Sequence, residues 1–101
     1  MSRVKAGILD DVLKELRSAK KIHPGWPDHI VARAAIVAEG AGELLKDALQ
    51  AKYEPGKAGL SLTDQRAAMR REAVQTAAMA IRFIEVLDAE EIAREPKLPD
   101  T

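Results

Sequence analysis

The sequence predicts an all-α fold: an antiparallel bundle of three long helices plus a short C-terminal helix, completed by homodimerisation. Three observations carry that expectation. Apolar residues recur every three or four positions through three long segments, as one helix face requires. Two stretches rich in proline and glycine, 22–29 and 53–62, separate those segments. The second and third segments are apolar around most of their circumference, which is more surface than one amphipathic first helix can cover.

The first helix spans about Ser2 to Lys21, with Val4, Ile8, Leu9, Val12, Leu13 and Leu16 on its apolar face. Asp10, Asp11, Lys14, Glu15 and Arg17 fall on the other side. A loop, Ile22 to His29, follows with two prolines, the only tryptophan and both histidines. Trp26 there either plugs the end of the bundle or lines a pocket mouth and stacks on a ligand ring. Asp28 is placed to cap the second helix, about Asp28 to Lys52. A second linker begins at Tyr53, and Ser61 or Thr63 caps a third helix of about Thr63 to Asp88, with Ser61-Leu-Thr-Asp64 fitting a capping box. Asp88 to Glu95 extends that helix or forms the short fourth one. Pro96 and Pro99 end regular structure, so residues 96–101 read as a flexible tail on a single domain of residues 1–101.

Charge narrows the function classes. Sixteen basic and 16 acidic residues cancel, so no global field attracts nucleic acid or an anionic membrane surface. No apolar run approaches the roughly 20 residues that cross a bilayer. Acids arrive too early for a signal peptide. Without cysteine there is neither a disulfide framework nor a thiolate zinc site. The expectation is a soluble cytoplasmic protein with no nucleic-acid or membrane partner.

The stretch richest in chemistry is Glu39-Gly40-Ala41-Gly42-Glu43 on the second helix. Residues four apart stand one above the other on a helix, so Glu39 and Glu43 share a stripe. Gly40 and Gly42 each cost about 1 kcal/mol of helix propensity in an otherwise apolar run, a local inconsistency of the kind that marks functional positions. Alone, the pair reads equally well as a solvated stripe continued by Lys46, Asp47 and Gln50. The third helix offers Glu72 and Gln75, three apart; Glu72 reads as a plain surface residue or as a facing ligand. Inside a dimeric bundle the three glutamates would be like charges in low dielectric, which Mg²⁺ or Mn²⁺ would neutralise. Such an ion would activate water toward a phosphoryl group, with Lys46, Arg70, Arg71 or Arg82 on the remaining phosphates.

Ala38-Glu-Gly-Ala-Gly-Glu-Leu44, followed by Glu72-Ala-Val-Gln75, resembles the MazG-like all-α nucleoside triphosphate pyrophosphohydrolases. Their signature is Glu-Glu-x-x-Glu, then Glu-x-x-Asp on the next long helix. The resemblance covers roughly Trp26 to Leu87 and includes the Trp-Pro-Asp loop and the Tyr53-Glu-Pro-Gly56 linker. It implies Mg²⁺-dependent hydrolysis of (d)NTPs to monophosphate and pyrophosphate by a homodimer or higher assembly. Glu39, Glu43 and Glu72 match acidic positions and are the catalytic and metal-binding candidates; Gln75 joins the metal set. Trp26, Lys46, Arg70, Arg71 and Arg82 are the substrate-binding candidates. Gly40 and Gln75 depart from the pattern, removing two negative charges and making this a divergent member. The alternative is a catalytically degenerate homologue that acts as a nucleotide-binding or helical protein-interaction module.

Overall fold

The computed structural model describes residues 6–94. Three helices fill most of that span: α1, Ala6–Ile22; α2, Ile30–Tyr53; and α3, Leu62–Arg94. A 3₁₀ turn, Lys57–Gly59, interrupts the second connection, and no strand forms among the described residues. The all-α expectation holds; among the described residues α3 runs on through Arg94, so the stretch from Asp88 extends it and forms no separate short helix. Asp88 to Arg94 contains no glycine or proline and four of its seven residues are Ala or Glu, so nothing breaks the helix at Asp88. The expected tail, residues 96–101, lies outside the described residues.

α3 is the spine. At 33 residues it is about 50 Å long, and α1 and α2 each pack against it rather than against one another. Val12 and Leu16 of α1 bury against Ala78 of α3, with Val74, Ala77 and Ile81 half-buried around them. Lys20 to Glu85 at 2.9 Å and Arg70 to Asp11 at 2.7 Å also link α1 to α3. These exposed pairs are worth at most about 1 kcal/mol each. The α2–α3 seam, where Gly40 meets Thr76, is marked by half-buried positions spaced by three and four: Val37, Gly40, Leu44, Ala48 and Ala51 on α2, and Met69, Glu72, Thr76, Met79 and Phe83 on α3. The result is an elongated helical bundle built around α3. Its radius of gyration is 17.8 Å, against roughly 13 Å for a compact chain of this length.

Buried polar side chains tie down both connections. Arg33 donates to the carbonyls of Pro27 and Asp28 and forms a two-pronged contact with Glu90 at 2.9 and 3.3 Å. Arg82 donates to the His23 carbonyl at 2.9 Å and stacks over the Trp26 ring, 4.6 Å from its centre. Gln65 does the same for the second connection, accepting from the Gly56 N–H at 3.2 Å and donating to the Glu54 carbonyl at 3.4 Å. Gly56 has φ 79°, a conformation that suits glycine.

The caps are partly as expected. Ser61 Oγ accepts from the Asp64 N–H at 3.0 Å and Asp64 accepts from the Ser61 N–H at 3.4 Å, a complete capping box. The second helix is capped by His29 and not by Asp28: His29 Nδ1 accepts from the Val31 N–H at 3.2 Å. Arg33 holds the Asp28 carbonyl, which leaves His29 as the last extended residue before α2.

Candidate functional site

Glu39 and Glu43 stand on the exposed side of α2, one turn apart, and Glu72 is half-buried on α3. Within the protomer the first two are therefore solvated, not held in low dielectric. Where the two helices come together is set by Gly40. A Cβ added there would lie 2.9 Å from Thr76 Oγ1 and 3.8 Å from its Cα, so the backbones are level at this point. In an antiparallel pair, moving one turn back from Thr76 to Glu72 moves one turn forward from Gly40 to Leu44. Glu72 thus lies at the level of Leu44 and Glu43. The register brings Glu43 and Glu72 to one height along the seam, with Glu39 a turn away.

Gly40 has a structural reason of its own. The Thr76 hydroxyl donates to the Glu72 carbonyl at 2.8 Å and occupies the space that a side chain at position 40 would need. Gly40→Ala should therefore change stability little, because about 1 kcal/mol of helix propensity is offset by displacing that hydroxyl from its hydrogen bond. In a Thr76→Ala background the same substitution should stabilise by about 1 kcal/mol. Urea titrations of the four proteins measure the coupling; equal gains in both backgrounds would mean that the helices do not meet at Gly40.

The other candidates are dispersed. Gln75, Arg70 and Arg71 line a groove of about 660 Å³ between α1 and α3, where Lys14 and Glu15 also point. Arg70 is paired there with Asp11. Lys46 borders a separate groove on α2 with Leu49 and Tyr53. Arg82 and Trp26 sit together at the first connection, beside a groove of about 570 Å³ shared with Lys20, Pro24 and Val86. Arg82 is already engaged with loop carbonyls. The Trp26 indole N–H is buried without a hydrogen-bond partner among the described residues.

The oxygen donors suit a hard divalent cation, yet no three His, Asp or Glu side chains among the described residues gather into a group able to hold one. A complete protein cage is absent from one described protomer. The donors fit only the looser arrangement in which magnesium takes one or two carboxylates and completes its shell with water and substrate phosphates.

Sequence reasoning missed Arg33 and Gln65, which position the connections around these residues. A lone arginine in the apolar run Ile30 to Ala38 was the available signal, since a charge there must be paired. No protein-family model matches the chain, and no curated protein or solved structure matches it either. No helix among the described residues is long and apolar enough to cross a membrane.

Proposed function

We propose that the chain is a divergent, magnesium-dependent nucleoside triphosphate pyrophosphohydrolase, working in the cytoplasm as a homodimer or higher assembly. The observation that carries this reading is the Gly40–Thr76 register, which puts Glu72 level with Glu43, one turn from Glu39. Those are the three residues that match the acidic positions of the MazG-like signature. Magnesium (or manganese), when bound, supplies positive charge to the triphosphate oxygens. The chain supplies carboxylates that hold the ion loosely and a glutamate that orients a water, or takes its proton, for attack on the α-phosphorus. The bond to the β,γ-pyrophosphate then breaks, giving monophosphate and pyrophosphate. Of the four candidate cations, Arg70 is paired with Asp11 and Arg82 with loop carbonyls, whereas Arg71 and Lys46 make neither kind of contact among the described residues.

Incubating the protein with a panel of NTPs and dNTPs plus Mg²⁺ or Mn²⁺ should yield monophosphate and pyrophosphate. Glu72→Gln should reduce turnover by about 100-fold or more while the helical signal is kept. No turnover and no metal-dependent thermal shift would reject the enzyme reading.

A second reading is favoured by the same geometry. Gly40 is filled by packing and Gln75 faces the α1 groove, so neither provides the missing charge. A degenerate homologue would bind nucleotide, or act as a helical interaction module, without turnover. A rise in melting temperature with nucleotide, in the absence of product, would select the nucleotide-binding form.

A further inference from the structure

Two arginines are buried to the same depth but differ in what balances their charge. Arg33 and Arg82 are each 5% exposed. Arg33 meets the Glu90 carboxylate. Arg82 has no carboxylate partner among the described residues. Its Nη2 donates to the His23 and Pro24 carbonyls at 2.9 and 3.5 Å, and the Trp26 ring covers one face of the guanidinium. A guanidinium carries five N–H donors, so donors in its plane remain. They are not sealed inside the protein: the buried side-chain polar atom without a partner among the described residues is Trp26 Nε1, not an Arg82 nitrogen. Neutral carbonyls and a ring face leave the net charge uncancelled, and a buried charge without a counter-charge is costly.

Arg82 lines the groove of about 570 Å³ at the first connection, where Pro24, Trp26, Val86 and Ala89 form an apolar wall. The carboxylates on that groove are already matched, Glu85 by Lys20 and Glu90 by Arg33. One positive charge is therefore left over beside an apolar surface. We propose that this groove binds a small organic acid with one carboxylate and an apolar or aromatic body. The carboxylate accepts from the in-plane N–H donors of Arg82, and the body lies against Trp26 and Val86. A triphosphate is the wrong ligand here, because Glu85 and Glu90 are each about half exposed and repel an anion of several charges. Arg82 also lies about 15 Å along α3 from Glu72. The site thus takes Trp26 and Arg82 out of the substrate set that the sequence suggests, and it is independent of the pyrophosphohydrolase reading.

Trp26 is the only tryptophan of the chain, so its fluorescence reports on this groove alone. Titration with hydrocinnamate should change the emission saturably. Hydrocinnamamide, which keeps the ring and lacks the charge, should bind more weakly by about tenfold or more. Inorganic triphosphate should neither reproduce the response nor displace the acid. Arg82→Gln should weaken binding by about tenfold or more, but it also releases the loop carbonyls. Two exposed positions on the groove therefore provide a second comparison. Ala89→Glu adds a carboxylate and should weaken the acid by about threefold; Glu85→Gln removes one and should tighten it by a similar factor. The proposal is overturned by no saturable response in the wild type, by equal binding of acid and amide, by displacement with inorganic triphosphate, or by an affinity indifferent to both charge changes. None of these results bears on turnover in the nucleotide assay, so the two readings fail separately.

Discussion

Replacing Arg33 with methionine should lower the thermal midpoint by roughly 10–20 °C, corresponding to about 2–3 kcal/mol. The Arg33 side chain is only 6% exposed and satisfies two carbonyls of the first connection together with Glu90. Methionine keeps much of the apolar stem but strands the Pro27 and Asp28 carbonyls where water must enter to reach them. The ion pair itself contributes the smaller part, because Glu90 is 47% exposed and remains hydrated. Glu90→Gln should therefore cost less than about 1 kcal/mol. Thermal unfolding by circular dichroism measures both. A shift of only a few degrees for Arg33→Met would show that the carbonyls find other donors and that the loop is held elsewhere.

Leu16→Ala should destabilise by about 3 kcal/mol, and its effect should fall first on α1. Leu16 and Val12 are the large side chains that bury α1 against α3. With α1 resting mainly on α3, a cavity beside Ala78 weakens the whole attachment and not just one contact. Hydrogen exchange should then show the amides of Ala6–Ile22 losing protection before those of α2 and α3. Leu13→Ala offers the contrast: Leu13 is 42% exposed, and its loss should cost about 1 kcal/mol or less. Uniform loss of protection across all three helices would mean that α1 is cooperative with the rest.

The helices were legible because their faces repeat with a period that few other structures share. The Ser61–Asp64 capping box was legible too, since it is local and both partners are close in sequence. What failed was also local in part. Asp28 is a good cap by residue type, but Arg33 holds the carbonyl of that same residue, so the cap moved to His29. The break expected at Asp88 was a matter of composition, and a helix with neither glycine nor proline had no reason to stop there. The least legible features depend on distant pairs: Arg82 under the loop of His23 and Trp26, Arg33 with Glu90, Gln65 with Gly56. At the candidate site the spacing of Glu39 and Glu43 correctly placed them on one stripe. It could not show that Gln75 belongs to the α1 groove or that Gly40 belongs to the seam, because both facts depend on which helix lies opposite.

The contact between Gly40 and Thr76 also constrains how this sequence can change over generations. The first carbon of any side chain gained at position 40 meets the Thr76 hydroxyl at 2.9 Å and must displace it from the Glu72 carbonyl. The helix propensity gained there is offset by that lost hydrogen bond. A smaller residue at position 76 removes the conflict, so the two positions are coupled in what they tolerate.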